Sequence, residues 1–402
     1  MNQPTATLVL KPGREKPVLN RHPWVFSGSI RHIRSGDPDP GDLVTITAHD
    51  GRFLARAYYN PQSQITARIL TWDPDEALDA DFWHARLDQA RRLRSLLELE
   101  PKTNAYRLVN GEADGVPGLI VDRYGDFLVL QALTLGIDVR KRMLIETAAA
   151  LFQPIGIVER SDVSVRKKEG LDEVRGLVWG VDPPDSVTVR ENDHLFEVDL
   201  MRGHKTGLYL DQRQNRNKVC QPNLVRGRKI LNVFSYTGGF AVYAAVSGAA
   251  QIINIDESAT SIDMARKNLA LNATNRQQDK YLTGDAFTLL REFRDTGQSF
   301  DMVILDPPKF AHSRRDVEAA CRGYKDLNWL ALRLLRPDGL LATFSCSGRV
   351  SADLFQKVVF SAAVDADRHV QIVQQLSQAA DHPVSLTFPE SAYLKGFLCR
   401  VI

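Results

Sequence analysis

The chain has 402 residues, of which 44% are hydrophobic and 25% are charged, and these values exclude a wholly disordered or fibrous protein. The net charge of +2 is too small to indicate a nucleic-acid partner by itself. The length predicts two or three domains, since a domain averages about 150 residues. The four cysteines, Cys220, Cys321, Cys346 and Cys399, form no CxxC pair, so we expect neither a metal site nor a disulfide framework.

The sequence carries no sign of export or membrane insertion. Lys11 and Arg14 precede any long apolar run, which argues against a secretory signal. The most apolar stretch, residues 241–255, is interrupted by polar residues and is shorter than the roughly 20 residues of a membrane span. We therefore expect a soluble, cytoplasmic protein with no membrane partner.

The positive charge is concentrated in two runs. Residues 1–36 carry a net charge of +5, and residues 213–229 carry a net charge of +6 with no acidic residue. Such runs are typical of surfaces that bind a polyanion, although a solvated protein face accounts for them equally well. At this point nucleic-acid binding stays open.

Residues 1–75 are predicted to form a small β-rich domain. Turns rich in Pro and Gly, at 37–41 and 50–51, separate short runs of β-forming residues. A linker is expected at 71–80. The predicted strands are Thr7–Lys11, Asp42–Ala48, Phe53–Tyr59 and Gln64–Leu70.

Residues 76–190 are predicted to form a small α+β domain. Apolar residues recur every three or four positions from Trp83 to Leu97, which indicates an amphipathic helix. A hairpin is expected around Gly125, a second helix over Ile137–Phe152 and a strand over Ile155–Glu159.

Residues 191–402 alternate between strands and helices. This order predicts an α/β fold with a seven-stranded, parallel, doubly wound sheet. The carboxyl ends of such strands meet at one edge, where ligands bind. The predicted strands are Lys229–Phe234, Gln251–Ile255, Tyr281–Thr283, Asp301–Leu305, Leu340–Ser345, His369–Leu376 and Lys395–Val401, and the first helices are Gly238–Ser247 and Ser258–Leu271.

Three features at the first strand ends point to a nucleoside-like ligand. Gly238 and Gly239 follow the first strand and are expected to let the backbone approach a ligand, but the GxGxxG pattern of a pyrophosphate loop is absent. Asp256 follows the second strand and can accept hydrogen bonds from ribose hydroxyls, while Asp285 follows the third and suits an adenine amino group. A helix-start turn or a helix-terminal charge explains each feature singly. Together and in this order they favour S-adenosylmethionine (SAM) over a nicotinamide cofactor.

The fourth and fifth strands end in residues suited to base chemistry. Asp306 begins the run 306–310, in which two prolines leave carbonyls free to accept an exocyclic amine. Lys309 could meet a phosphate, and Phe310 could stack on a base. Cys346 follows the fifth strand. A lone cysteine is usually a small core residue, but this position favours a nucleophile.

The chain resembles the bacterial ribosomal RNA large-subunit methyltransferase I family from about residue 8 to residue 402. The N-terminal runs also look like that family's RNA-binding PUA domain. The family methylates carbon 5 of a cytosine in 23S ribosomal RNA, with SAM as methyl donor. The resemblance is carried by residues 11–16, 22–28, 205–213, 234–240, 306–310, 321–325 and 343–347.

The resemblance also implies roles for individual residues. Cys346 would be the nucleophile, Asp306 would face the cytosine, and Gln212 and Arg213 would lie near the cofactor. SAM would be held by Phe234, Ser235, Thr237, Gly238, Gly239, Asp256 and Asp285. RNA would be bound by Arg14, Lys16, Arg21, Trp24 and Arg31, together with Lys309 and Phe310.

Some steps and partners stay open. Many RNA cytosine-5 methyltransferases carry a second cysteine in the fourth-strand motif, but this chain and the family it resembles do not, so the base that releases product is undetermined. Lys309 or the SAM sulfonium is expected to favour the Cys346 thiolate. The substrate is expected to be 23S ribosomal RNA or a large-subunit assembly intermediate, and a homodimer stays open.

Two other functions fit parts of the pattern. Asp306-Pro307-Pro308 followed by an aromatic residue is also typical of enzymes that methylate nitrogen without a covalent intermediate. A non-catalytic RNA-binding assembly factor could keep the same fold without turnover. The complete set of glycines, aspartates and Cys346 argues against that third function.

Overall fold

The computed structural model describes residues 4–203, 205–273, 276–311 and 313–402, with only the backbone of Arg314. The chain divides into two compact units. The first unit comprises Met1–Val189, Val198–Leu208 and Ala380–Ser391. The second unit comprises Arg190–Glu197, Tyr209–Ala379 and Ala392–Ile402.

The first unit begins with a six-stranded sheet in the order β2-β6-β5-β4-β1-β3. The strands predicted near residues 7, 42 and 53 are confirmed, whereas β2 and β3 were not predicted. Strand β2 is only two residues long, and β3 is largely exposed and rich in arginine, so neither shows a hydrophobic pattern. The elements are β1 (Ala6–Leu10), α1 (Lys16–Leu19), β2 (Trp24–Val25), β3 (Ile30–Arg34), β4 (Leu43–Thr47), β5 (Phe53–Tyr59) and β6 (Ala67–Thr71).

A five-stranded sheet in the order β11-β10-β9-β8-β7 follows in the same unit. The predicted hairpin is confirmed, with Tyr124 paired to Phe127 across a two-residue turn. Its elements are α2 (Ala80–Ser95), β7 (Ala105–Asn110), β8 (Leu119–Tyr124), β9 (Phe127–Ala132), α3 (Leu135–Asp138), α4 (Lys141–Phe152), β10 (Gly156–Ser161) and β11 (Val174–Gly180).

The prediction of one continuous helix over Ile137–Phe152 is wrong. The helix breaks at Arg140, whose backbone is not helical. Its guanidinium donates hydrogen bonds to the carbonyls of Gly41 and Gly136 at 2.9 and 2.8 Å. A long-range contact therefore overrides the local helical pattern.

Tyr58 connects the two sheets of the first unit. Buried Tyr58 of β5 donates to the Pro117 carbonyl at 2.7 Å, and a Cβ on Gly136 would lie 2.1 Å from its ring. The predicted boundary near residue 75, between domains at 1–75 and 76–190, stays a prediction.

The second unit contains a seven-stranded sheet in the order β16-β15-β14-β17-β18-β20-β19. The α/β class and the number of strands are confirmed. Strands β14 to β18 are parallel, but β20 runs antiparallel to both β18 and β19, so the prediction of a wholly parallel sheet is wrong. The strands are β14 (Lys229–Val233), β15 (Gln251–Asp256), β16 (Lys280–Thr283), β17 (Phe300–Leu305), β18 (Leu335–Ser345), β19 (Val370–Ser377) and β20 (Lys395–Val401).

Helices connect the strands of this sheet. The central strands are buried along nearly their whole length, as strands covered on both faces must be. The helices are α5 (Arg213–Val219), α6 (Pro222–Val225), α7 (Gly239–Val246), α8 (Ala259–Asn272), α9 (Ala286–Asp295), α10 (Val317–Leu334) and α11 (Ala352–Asp365), and a separate hairpin is formed by β12 (Val187–Glu191) and β13 (His194–Val198). Within the described residues, no helix combines the length and the apolarity that a bilayer crossing needs.

A buried ion pair ties α5 to the start of the second unit. Glu191 is 0% exposed and Arg216 is 2% exposed. Arg216 donates two hydrogen bonds to the Glu191 carboxylate, at 2.7 and 2.6 Å, and a third to the Tyr209 carbonyl at 3.0 Å. The Tyr243 hydroxyl also donates to this carboxylate at 2.9 Å. Both oxygens of the acid are therefore used inside the protein.

This pair also corrects the interpretation of the basic run at 213–229 as a polyanion-binding surface. Arg213 and Arg216 are buried, and Arg228 donates to the Asp301 carbonyl at 3.3 Å. Of the basic residues in the run, only Lys218 and Arg226 are exposed. The run is therefore not a continuous surface patch.

Replacing Glu191 with Ala should lower the free energy of unfolding of the second unit by about 3–5 kcal/mol, because Arg216 would stay buried without its partner. Hydrogen exchange of the β14 and β17 amides measures this loss directly. The matched control is Glu318→Ala, which removes an exposed pair with Arg322 and should change stability by no more than about 0.5 kcal/mol. Equal effects in the two variants would contradict the importance of burial.

Candidate active site

The carboxyl ends of four parallel strands bring the predicted site residues to one edge of the sheet. Phe234 follows β14, Asp256 ends β15, Asp306 follows β17 and Cys346 follows β18. Since β15, β14, β17 and β18 are neighbours in the sheet, these positions are adjacent although they span 113 residues of sequence. This is the edge where open α/β sheets bind ligands.

The loop after β14 is held in an unusual conformation. Phe234 and Tyr236 have positive φ angles of 59° and 46°, in the region that residues other than glycine seldom adopt. The Asp256 carboxylate accepts hydrogen bonds from the Tyr236 N–H at 2.8 Å and the Ser258 N–H at 3.0 Å. Strain of this kind is retained when surrounding groups fix it, and it is concentrated at functional sites. Asp256 therefore stabilises the conformation of this loop, and its oxygens can still accept further hydrogen bonds.

Gly238 and Gly239 lie where a side chain would collide with neighbouring residues of the protein. A Cβ on Gly238, whose φ is +82°, would lie 3.0 Å from the Cβ of Ala265. A Cβ on Gly239 would lie 2.9 Å from Cδ of Arg216. Helix α8 and Arg216 therefore exclude side chains at these two positions, and the expected approach of the backbone to a ligand stays a prediction.

Ser235 carries the clearest signal for a ligand in this loop. Its side chain is 6% exposed, and its buried hydroxyl has no hydrogen-bond partner within the described parts of the chain. Thr237 is also buried, and its carbonyl accepts from Asn268 at 2.9 Å. Buried polar groups are nearly always paired, so the Ser235 hydroxyl fits a site that is completed by a polar ligand such as SAM.

Asp285 caps helix α9. Its Oδ1 accepts hydrogen bonds from the Thr288 N–H at 2.8 Å and from the Thr288 hydroxyl at 2.7 Å. These bonds hold the pKa of Asp285 below its usual value. Capping accounts for this residue without a ligand, so its adenine-binding role stays a prediction.

Asp306 is oriented by a chain of side-chain amides. Gln212 donates to Oδ1 of Asp306 at 2.9 Å, and Asn215 donates to Oε1 of Gln212 at 2.6 Å. Gln212 and Arg213 are both buried, and Gln212 contacts the residue predicted to face the base. Asn215 was not predicted, because its role depends on helix α5 placing it against Gln212.

Tyr209 is a further residue that the sequence analysis did not single out. Its ring packs edge-on against Tyr236, with ring centroids 5.2 Å apart. Burial and, after it, the charge of Asp306 raise the pKa of Tyr209 well above its usual value, and Cys346 adds to the shift. Tyr209 is therefore a neutral phenol whose pKa is affected by both predicted catalytic residues. Its position inside the family run at 205–213 was the available signal.

Cys346 is half-buried directly after β18. Its Sγ lies 4.0 Å from the carbonyl oxygen of Pro307, in the run that follows β17. The residue after Cys346 is also fixed, since the Ser347 hydroxyl accepts from the Ala311 N–H at 3.2 Å and lies 3.0 Å from the Tyr324 hydroxyl. The thiol and the Asp306 run are thus neighbours.

The remaining residues of the 306–310 run differ in environment. Lys309 is exposed, which suits contact with a phosphate. The Phe310 ring is half-buried and packs against Tyr324, with centroids 4.7 Å apart, and it also lies against Gly323. This packing accounts for Phe310, and stacking on a base stays a prediction for its exposed part.

The predicted RNA-binding residues of the first unit are mostly solvent-exposed. Arg14, Lys16, Arg21 and Arg31 are exposed, and none of them forms an ion pair with a residue that the structure describes.

Trp24 is placed differently from these basic residues. Its indole N–H donates to Glu112 at 2.8 Å, and its ring packs edge-on against Phe388 at 4.6 Å. Phe26, which is 46% exposed, presents an aromatic ring to solvent nearby. A role for Trp24 in stacking on RNA stays a prediction.

Comparisons with known proteins agree with this geometry. The sequence profile of PUA-like domains matches residues 8–72, and that of S-adenosylmethionine-dependent methyltransferases matches residues 172–385. Ribosomal RNA large subunit methyltransferase I of Shewanella denitrificans is 49% identical over 392 residues, with 98% of each chain covered. The protein of that name from Erwinia tasmaniensis is 47% identical over 398 residues, covering 99% of this chain and 100% of its own.

A solved structure matches nearly the whole chain. It is a Streptococcus mutans protein described as a candidate SAM-dependent methyltransferase, and its TM-score is 0.85 at 22% identity. It covers 98% of this chain and 100% of its own, and at that identity the likeness supports the fold alone. The comparisons therefore agree on the fold along the length of the chain and on SAM as the methyl donor.

Replacing Asp256 with Ala should weaken SAM binding by about 10- to 100-fold, because the loop after β14 loses two charge-assisted hydrogen bonds. Isothermal titration calorimetry with SAM alone measures the effect. Asp263→Ala, which removes an exposed aspartate from helix α8, is the control and should bind SAM as the wild type does. An unchanged Kd in Asp256→Ala would contradict the role assigned to this carboxylate.

Proposed function

This chain belongs to the ribosomal RNA large subunit methyltransferase I family, and we propose that Cys346 is the nucleophile with which it methylates carbon 5 of a cytosine in 23S ribosomal RNA. The observation that carries this proposal is the neighbourhood of Cys346. Its thiol adjoins the Pro307 carbonyl, and the same run begins with Asp306, which Gln212 holds in place. The site thus offers a nucleophile and an oriented carboxylate on adjacent strands.

Carbon 5 of cytosine is a poor nucleophile, and the addition of a thiolate to the ring makes it a better one. When Cys346 bonds to carbon 6, the ring loses its aromaticity and carbon 5 becomes enamine-like. Asp306, in its protonated form, donates a hydrogen bond to the ring and stabilises the negative charge that develops there. SAM supplies an electrophilic methyl group when it is bound. A base then takes the proton from carbon 5, the 5,6-double bond re-forms and Cys346 leaves as a thiolate.

The residues of the loop after β14 fit the cofactor. The Ser235 hydroxyl, which has no hydrogen-bond partner among the described residues, offers a hydrogen bond, and Asp256 retains acceptor capacity for ribose hydroxyls. Phe234, Thr237, Gly238 and Gly239 form the same loop, Asp285 follows β16, Gln212 donates to Asp306, and Arg213 is the residue after Gln212. We assign all of them to the SAM site as a proposal.

Covalent trapping tests the nucleophile. With SAM and 23S ribosomal RNA that contains 5-fluorocytosine, the protein should form an adduct that survives denaturation, because fluorine at carbon 5 cannot leave as the proton does. Cys346→Ala should form no adduct and should lose turnover while SAM binding is nearly unchanged. Cys321→Ala is the matched control, since this half-buried thiol lies on helix α10 and should leave the adduct intact.

Two results would overturn this mechanism in different ways. Methyl transfer by Cys346→Ala without an adduct would favour nitrogen methylation by the Asp306-Pro307-Pro308 motif. A wild-type protein that binds RNA but not SAM would favour the non-catalytic assembly factor.

The exposed basic residues of the first unit support an RNA-binding role for its N-terminal sheet. Arg14, Lys16, Arg21 and Arg31 have no acidic partner among the described residues, so their charge is available to phosphates. RNA helices are bound largely by shape and by such phosphate contacts. The target cytosine itself must be flipped out of a helix or presented in a loop before it can be methylated.

The double variant Arg14→Ala/Arg31→Ala should reduce the slope of log K against log salt concentration by about 1.4–1.8, because each phosphate that an arginine neutralises contributes about 0.7–0.9 to that slope. Filter binding of 23S ribosomal RNA fragments over a salt series measures the slope. Arg142→Ala is the control, because Arg142 is equally exposed but pairs with Glu146. A slope unchanged in the double variant would remove these two arginines from the interface.

Three finer points belong to the same proposal. Methylation of protein-free 23S ribosomal RNA and of a partly assembled large subunit, compared side by side, identifies the physiological substrate. Action on ribosomal RNA implies a cytoplasmic enzyme. Sedimentation equilibrium decides whether the chain acts as a homodimer.

A further inference from the structure

We propose that Lys395 is a positioning residue for Cys346: its ammonium group fixes the turn that follows the nucleophile and stabilises the thiolate form of that side chain. This inference rests on the proposed role of Cys346 as nucleophile. Lys309 and the SAM sulfonium were the activating charges expected from the sequence. The structure adds a third positive charge, on a buried residue of the fold itself, so it is present before any ligand binds.

The geometry of β20 places Lys395 at the nucleophile. In the antiparallel pairing of β18 with β20, Lys395 is the direct partner of Ser345, the residue before Cys346. Opposed residues in such a pair have Cα atoms about 4.5–5.5 Å apart. The start of β20 therefore lies at the same edge of the sheet as the end of β18.

The Lys395 side chain then reaches the turn on the other side of Cys346. Its Nζ donates to the carbonyls of Ser347 and Val350, both at 2.7 Å. Short bonds from an ammonium to two carbonyls are of the charge-assisted, stronger kind. Cys346 is therefore held between Ser345, which pairs with Lys395 along the backbone, and Ser347, whose carbonyl binds the Lys395 side chain.

The charge of Lys395 has no acidic partner. The residue is 8% exposed, and no carboxylate lies within 4.0 Å of its Nζ in the part of the chain that the structure describes. Burial, together with the nearby charge of Lys309, lowers the pKa of Lys395 to about 8, while Cys346 acts in the opposite direction. After burial, the charges that act on the pKa of Lys395 are thus those of the Cys346 thiol and the Lys309 ammonium.

Burying a cation is costly unless it is hydrogen-bonded and paired with an opposite charge. The Cys346 thiol can supply that opposite charge when it ionises to the thiolate. Free thiols titrate near about 8.5, and nearby lysines are among the groups that favour the thiolate. The interaction is reciprocal: since the thiolate favours the charged form of Lys395, charged Lys395 favours the thiolate.

The test measures alkylation of Cys346 by iodoacetamide from pH 6 to pH 10, with mass spectrometry of the Cys346 peptide. It uses the full-length protein without RNA or SAM, so the readout is independent of methyl transfer. In Lys395→Gln, the midpoint of the alkylation curve should move up by about one pH unit, which is a tenfold slower reaction at pH 7. Lys395→Arg, which keeps the charge, should restore the wild-type midpoint.

Two controls separate charge from general damage. Lys229→Gln removes a lysine at the first residue of β14, at the opposite edge of the sheet, and should leave the midpoint unchanged. Cys399 is buried in β20, so its alkylation reports unfolding of any variant. If Lys395→Gln unfolds, the Lys395→Arg variant provides the test. Arginine stays charged above pH 8, where the wild-type lysine loses its charge. Above pH 8, Cys346 in Lys395→Arg should therefore be at least as reactive as in the wild type.

An unchanged midpoint in folded Lys395→Gln would overturn the inference, as would a midpoint in Lys395→Arg that moves up by the same amount. A purely structural role for Lys395 would lower stability without moving the midpoint. A different experiment tests whether Cys346 is the nucleophile: methyl transfer by Cys346→Ala would show that it is not. The alkylation measurement would still report the effect of Lys395 on the Cys346 thiol.

Discussion

The parallel alignment of β15, β14, β17 and β18 is the constraint on which the site depends. Strands β14 and β17 are buried along nearly their whole length, so the residues that can reach a ligand lie at the strand ends. The register of β14 with β17 pairs Val233 with Leu305, and that of β17 with β18 pairs Leu305 with Thr343. The residues that follow these strands must then meet at one edge. Apolar packing thereby positions polar groups that are far apart in sequence.

A second layer of polar contacts fixes what the sheet brings together. The Glu191–Arg216 pair contacts residues of the site in two places: Arg216 donates to the Tyr209 carbonyl, and it packs against Gly239. Asp256 and Gln212 act in the same way on Tyr236 and Asp306. These contacts explain why residues that look like ligand-binding groups in the sequence are also structural. A carboxylate with several lone pairs can hold a loop and still accept a ligand.

The sequence predicted the elements that have a clear period or a continuous apolar run. It therefore located the seven strands of the second unit and the strand ends that carry Asp306 and Cys346. It failed where distant contacts decide the structure. Arg140 breaks a helix by binding the Gly41 carbonyl, and Arg213 and Arg216 are buried although their run looked like a basic surface. No local pattern records which distant group will pair with a charge.

The direction of β20 shows how one topological error hides a functional residue. In a parallel strand the first residue lies at the amino-terminal edge, so the predicted sheet would have placed Lys395 at the edge opposite Cys346. The antiparallel direction reverses this and pairs Lys395 with Ser345. The strand itself was predicted with its observed bounds, Lys395–Val401, yet only its direction gives the lysine a role. Strand direction depends on the connection from β19 and on the insertion of β20 between β18 and β19, which no residue pattern within β20 encodes.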